Sequence, residues 1–309
     1  MENNVKLLLI GEAMLELVAQ DHDTLKRSFA GDVYNTSVYT KRAFPANHVY
    51  FMSALGKDLV SKTFLSQLEK EQLDKHFVAE SNDKHMGAYM VLNDEHGERS
   101  FLYWRNDSAA KRAMSLQSPH KLNEQFDYIF FSGITLAILE ESEHELFWQF
   151  IYDAKAKGAK IMFDPNYRPV LWASADEAKA AFEKAYVASD WLLPGTEDFE
   201  VLYGLKSMND CIEFCKAYEL EELVIKQGEK PVHVIRNGEL EVLEIQSSSN
   251  VVDTTSAGDA FNGVYIGARL DGKDPKEAVR MANYAAIKVI ETKGAIMPKA
   301  LFEEAMAKY

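Results

Sequence analysis

The sequence predicts an α/β fold: a parallel sheet between layers of helices, with a small β-sheet as a cover. Three observations predict it. Short, near-continuous apolar runs alternate with amphipathic segments along most of the chain. Most of the runs are followed within a residue or two by small, turn-forming or polar groups. One stretch, residues 87–107, breaks the alternation with two strand-like runs in succession.

The apolar runs are residues 6–11, 49–55, 128–134, 160–163, 191–193 and 222–226, and the amphipathic segments include 61–72, 141–157, 174–188 and 208–217. Apolar runs without alternation belong to strands buried on both faces, and strand–helix alternation places helices on each side of a parallel sheet. Ligands of such sheets bind beyond the carboxyl ends of the strands. That rule gathers Asn166, Arg168, Gly228 and the loop 253–259 at one edge. The interruption, "GAYMVLNDEHGERSFLYWRND", reads as a hairpin around "NDEHGE", and residues 14–20 and 25–29 are also β-like. Together they predict a lid inserted at about 12–32 and 84–108 into a single domain spanning 1–309. Period two puts Phe101, Tyr103 and Arg105 on one face of the hairpin and Leu102 and Trp104 on the other. The first face is either a solvated sheet surface or, if it shuts over a cleft, a ligand clamp.

Composition removes several classes of function. At 309 residues and 47% hydrophobic, the chain can bury a substantial core. A net charge of −14 argues against nucleic acid or an anionic membrane as partner. The opening "MENNVKLLLI" has no basic leader or cleavage site and its apolar part is too short to span a bilayer, so a cytoplasmic location is expected. Cys211 and Cys215 stand four apart in a helical stretch, which makes neither a disulfide framework nor a zinc site. The eight histidines form no metal-binding motif.

The stretch "DTTSAGDAF", residues 253–261, carries the most chemistry. Ala257, Phe261, Val264 and Ala268 mark one face of a helix that Asp271-Gly272 ends. Backbone N–H groups at such a helix start lack partners and attract anions. An aspartate there is commonly a cap. Here Asp253 and Asp259 bracket small residues that let a ligand reach the backbone, which a cap alone does not require. GxxxxGK[ST] and GxGxxG after a strand are both absent, so a Walker phosphate loop and a dinucleotide site are not expected.

"DTTSAGDAFNG", with "AGDVYNTSVYTKRAF" and "ALGKD" upstream, resembles the two signatures of the ribokinase-like (PfkB) carbohydrate kinases, in the right order and over nearly the whole chain. Within that family, "FLYWRND", "FSGITLAIL" and "FDPNYRPVLW" are most similar to the 2-keto-3-deoxygluconate kinase branch. The resemblance implies a ribokinase-like core with a β lid, and transfer of phosphate from ATP to the 6-hydroxyl of the sugar acid. Phosphoryl transfer needs an anion cradle, a placed hydroxyl and a proton acceptor. The resemblance assigns the cradle to Ser256, Ala257 and Gly258 and the acceptor to Asp259. It puts a monovalent cation, K+, on the Asp253–Thr255 backbone, and Mg2+ with the ATP. Glu197 would act on Mg2+ through water, in "PGTE", where the family has Asn-x-x-Glu; a surface glutamate is the plainer alternative. Asn166, Arg168, Lys226 and Gly228 fall on the nucleotide side, Gly31, Asp32 and Asn35 on the sugar hydroxyls, and Tyr89, Tyr103, Arg105 and Arg168 in the acid pocket. Two arginines suit a carboxylate, which a neutral hexose lacks. A fructokinase or other sugar kinase of this family is the alternative activity. A non-catalytic sugar-binding relative is the alternative class, and the intact Asp259 and glycine loop argue against it. The exposed lid face is a candidate surface for homo-oligomers.

Overall fold

The computed structural model describes residues 5–21, 23–93 and 99–309. Strand β1 (Lys6–Ile10) runs up the middle of the main sheet and leads into β2 (Met14–Ala19) and β3 (Leu25–Ala30) of a second sheet. The chain returns through α1 (Asp32–Ala43), β4 (His48–Leu55), α2 (Leu59–Lys70) and β5 (Val78–Glu80), then leaves again as β6 (Gly87–Asn93) and β7 (Arg99–Trp104). After α3 (Pro119–Leu122) come β8 (Tyr128–Ser132), α4 (Gly133–Ile138), α5 (Glu141–Ala156), β9 (Lys160–Asp164), α6 (Ala175–Ala188) and β10 (Trp191–Leu192). The remainder is α7 (Thr196–Tyr203), α8 (Met208–Cys215), β11 (Glu222–Gln227), β12 (Lys230–Arg236), β13 (Glu239–Leu243), α9 (Ala257–Leu270), α10 (Pro275–Ile290) and α11 (Lys299–Met306).

Nine described strands form the main sheet, in the order β13-β12-β11-β10-β9-β8-β1-β4-β5. From β5 to β11 every pairing is parallel, as predicted; β12 and β13 add an antiparallel edge that was not. The run 128–134 also ends early, because Gly133 already opens α4. A Cβ there would lie 1.9 Å from Pro165 O, so the close approach needs glycine. Both faces of the sheet's central parallel strands are buried. Leu7, Leu9, Phe51 and Phe130 pack under α1, α2 and α9, while Leu8, Ile10, Phe131 and Phe163 pack under α5, α6 and α7. This two-sided burial is why the strands read as unbroken apolar runs.

The second sheet, β3-β2-β6-β7, is the predicted lid, and the hairpin turn, residues 94–98, lies outside the described residues. Its inner face buries Met14, Ala30, Tyr89 and Val91 against Ala295 of the core. Its outer face leaves Leu25, Leu92, Leu102 and Trp104 exposed.

Beneath the lid, α1 and α9 pack at unusually close range. A Cβ on Gly263 would stand 2.6 Å from Thr36 O, and one on Gly267 would stand 2.3 Å from the Phe44 ring. Thr40 Oγ1 donates across this contact to Gly263 O at 2.9 Å. Both helices begin at the carboxyl edge of the sheet, next to the point where the chain leaves β1 for the lid.

Candidate active site

Helix α9 opens at Ala257 behind Ser256, whose φ of 67° is left-handed. This turn leaves the helix start facing the edge of the sheet. A Cβ built on Gly258 meets nothing within 4 Å, so nothing in the fold itself demands a glycine there. Within the first turn, Asp259 accepts a hydrogen bond from Asn35 Nδ2 at 2.9 Å, from the first turn of α1. Asp32 precedes Asn35 and sits behind Gly31, where a Cβ would strike Glu12 O at 2.2 Å. Asp32 Oδ2 accepts from Ser132 Oγ at 2.5 Å and from Asn166 Nδ2 at 3.0 Å. Asn166, expected on the nucleotide side, therefore turns its amide onto Asp32, from a backbone with φ of 35°. Three strand ends and two helix starts thus converge on Asp32 and Asp259.

Electrostatics separate this place from ordinary surface. Burial, and then the like charge of Asp32, push the Asp259 carboxyl up to about 7, with the Asn35 amide opposing. Asp164, at the end of β9, is raised by burial, and the Lys226 ammonium opposes the shift. Asp198 is raised to about 7, by burial and then by Asp164, although it accepts bonds from Tyr167 N at 2.7 Å and Gly195 N at 2.8 Å. A carboxyl near 7 beside an open helix start can take up a proton at working pH.

Other expected residues are placed differently. Glu197 is exposed on the first turn of α7, and the buried acid of that segment is its neighbour Asp198. Lys226 Nζ donates to Asn262 Oδ1 at 2.8 Å and lies 3.6 Å from Asp164, so its ammonium is engaged beneath α9. Asn262 Nδ2 completes the set with a 2.6 Å bond to Asp164. Gly228, at φ 55°, has open space around its Cβ position. Asp253 pins the loop down: it accepts from Gly294 N at 2.8 Å and Thr255 N at 3.0 Å, and its own N–H donates to Ile290 O. A cleft of about 100 Å³ separates Asp253 and Thr255 from Glu16, Ser28 and Phe101 of the lid, and Asp259 does not line it.

On the lid, the predicted two-faced pattern holds. Tyr89, Phe101 and Tyr103 form one aromatic group, with the Tyr89 and Tyr103 rings 5.7 Å apart and Arg105 5.9 Å over Tyr103. Tyr89 is buried and its hydroxyl donates to Glu16 Oε1 at 2.5 Å, so it offers the cleft its ring. Arg105 pairs with Glu12 Oε2 at 2.5 Å. Arg168 stands exposed where β9 runs out, with Nη1 3.3 Å from Tyr167 O. Ser132, Asp164, Asp198, Asn262 and Glu12 were not singled out from sequence. "DPN" and "FNG" flagged two of the places, but the partners lie far off in the chain.

Among the described residues no group of three or more His, Cys, Asp or Glu is placed to hold a metal ion. No described helix is long and apolar enough to cross a membrane.

A parallel sheet, a β lid and an acid at an open helix start define a class, and sequence comparison agrees with it. The chain belongs to the pfkB family carbohydrate kinases, whose profile matches residues 4–300. Within the family, it is 34% identical over 302 residues to the 2-dehydro-3-deoxygluconokinase of Escherichia coli K12, covering 95% of this chain and 97% of the relative. The crystal structure of 2-dehydro-3-deoxygluconokinase from Thermotoga maritima superposes with a TM-score of 0.83, covering 99% of both chains at 22% identity. Fructokinase from Xylella fastidiosa, solved with bound ATP, gives 0.83 over 98% of both chains at 18% identity. These last two likenesses establish the fold.

Proposed function

We propose that this protein phosphorylates the 6-hydroxyl of 2-keto-3-deoxy-D-gluconate, also called 2-dehydro-3-deoxy-D-gluconate, with ATP. The observation that carries the chemistry is Asp259, held by Asn35 beside the open start of α9 with its carboxyl raised to about 7. Asp259 takes the hydroxyl proton as the oxygen attacks the γ-phosphorus. The bond to the β–γ bridging oxygen breaks, and ADP leaves with that electron pair. The N–H groups around Ala257 and Gly258 receive the charge spread over the equatorial oxygens. Mg2+ bound to ATP would neutralise phosphate charge, and Asp198, buried where Glu197 is exposed, would be the acid that holds its water. K+ on the backbone of Asp253 and Thr255 would add positive charge behind the cradle.

Asp32 and Asn35 grip sugar hydroxyls in this reading, and the aromatic face of the lid covers the ring. Closure excludes water, which would otherwise accept the phosphoryl group. Substrate choice rests on Arg105 and Arg168, which suit a carboxylate, and on the full-length kinship to 2-dehydro-3-deoxygluconokinases. The apolar outer lid face, with Leu102 and Trp104 exposed, is the surface through which two copies would pair. Coupled ADP-release assays over the sugar acid, gluconate, fructose and ribose test the activity. The sugar acid should give the highest kcat/KM; a preference for fructose or ribose would overturn the assignment.

A further inference from the structure

Glu12 lies between β1 and β2, where the core sheet hands the chain to the lid, and it is 2% exposed. Two glycines give it room. Its main-chain oxygen fills the place of a side chain at Gly31, and its Oε1 lies 2.7 Å from where a Cβ on Gly87 would stand. Opposite it, just past β7 at the lid's edge, is Arg105, with a side chain 9% exposed and Nη2 2.5 Å from Glu12 Oε2. The contact is a charge pair without hydrogen-bond alignment. Both Glu12 carboxylate oxygens and Arg105 Nε are buried with no hydrogen-bond partner.

Buried charges normally have their donors and acceptors filled, because desolvation is otherwise uncompensated. Here a guanidinium is anchored by an acid through one nitrogen while its Nε–H stays open. Nε and Nη2 share one edge of the guanidinium, so Glu12 takes that edge and the remaining N–H groups are the ones a planar carboxylate can use. Glu12 also joins the lid's far strand to the root of the lid, so it fixes where Arg105 stands relative to Asp32 and Asp259.

We propose that Glu12 is the positioning residue for Arg105: it holds the guanidinium at the root of the lid, in place to meet the carboxylate of the sugar acid. Discrimination between a sugar acid and a neutral ketose then depends on Glu12 as much as on Arg105. This rests on the sugar-acid reading above.

The test measures kcat and KM for 2-keto-3-deoxygluconate and for fructose in wild type, Glu12→Gln, Arg105→Met and the double variant, with melting curves for each. Glu12→Gln should weaken kcat/KM for the acid roughly 10- to 100-fold, mainly through KM, as expected for a misplaced charge-assisted contact. Fructose should change less than about threefold, and the double variant should match Arg105→Met for the acid, since residues acting through one another are not additive. Equal losses on both substrates, or effects that multiply in the double variant, make Glu12 a strut alone and overturn the proposal. If Glu12→Gln does not fold, Glu12→Asp decides: it keeps the charge at shorter reach and must weaken the acid more than fructose. A wild type that prefers fructose overturns the sugar-acid reading itself, and Glu12's role with it. A wild type that prefers the acid and loses that preference in Arg105→Met but not in Glu12→Gln leaves the reading standing and removes only Glu12.

Discussion

Replacing Asp259 with asparagine should disable the enzyme and stabilise it, and the second effect follows from the site's electrostatics. The Asp259 carboxyl moves from 3.8 to about 7 on folding, by burial and by Asp32. Between those values the folded chain keeps a proton that the unfolded chain has released. Stability therefore falls as pH rises through that window, and the whole penalty is present above about 7. At about 1.36 kcal/mol per pH unit the penalty is at most ~4 kcal/mol, and partial solvation of the cleft lowers it to on the order of 2–4. Asparagine removes the charge and can still accept the Asn35 amide. For a chain of this size the gain corresponds to a rise of roughly 5 °C in Tm at pH 8.5 and less at pH 5. Turnover should drop about 10²- to 10⁴-fold. Thermal melts at both pH values and ADP-release assays on the same preparation measure the two effects. Equal Tm shifts at the two pH values would refute the electrostatic account, and near-normal turnover would refute the role as base.

Four further outcomes are expected. The kcat/KM for the sugar should rise with pH through about 7 as Asp259 loses its proton, and in Asp32→Asn the residual activity should begin its rise at lower pH; a limb that does not move removes Asp32 as a cause. Gly258→Ala should fold normally, because its methyl enters open space, yet lose roughly tenfold or more in kcat because the proposed cradle uses that space; unchanged kcat would place the cradle elsewhere. Arg168→Met should lower kcat/KM for the sugar acid by roughly 10- to 150-fold and for fructose much less, and equal losses would make Arg168 structural or ATP-directed. Trp104→Glu should turn a lid-paired dimer into a monomer in sedimentation, and a wild type that sediments as a monomer excludes that pairing.

Strands buried on both faces announced themselves in the sequence, since nothing but apolar side chains fits there, and so did the two-faced lid hairpin. The β12–β13 hairpin was also written in the chain. Its turn, Asn237-Gly238, has φ of 52° and 79°, the left-handed pair that such dipeptides favour. Half-exposed strands such as "KPVHVIR" and "ELEVL" carry a weaker apolar signal, so the antiparallel edge was passed over. In the site, Asp259 stood out because it occupies a helix start, and Asp32 and Asn35 stood out through the family resemblance. The choice between Glu197 and Asp198 depends on helix phase: α7 begins after Gly195, which turns Asp198 inward and Glu197 outward. Contacts such as Asn35 with Asp259 or Asn262 with Asp164 join distant parts of the chain, and no spacing rule reveals them.

The glycine-tight seam between α1 and α9 bears on how this enzyme can acquire a new substrate. Asp32 and Asn35 ride on one helix and Asp259 on the other, and at Gly263 and Gly267 there is no room for even a methyl group to shift one past the other. The spacing of Asp259 from Asp32 and Asn35 is thus inherited as a unit. The lid's two strand pairs, β2 with β3 and β6 with β7, belong to a separate sheet. Laboratory selection for a different sugar should accordingly collect its substitutions in those two segments. Lineages carrying any larger residue at 263 or 267 should disappear from the pool before specificity has changed at all.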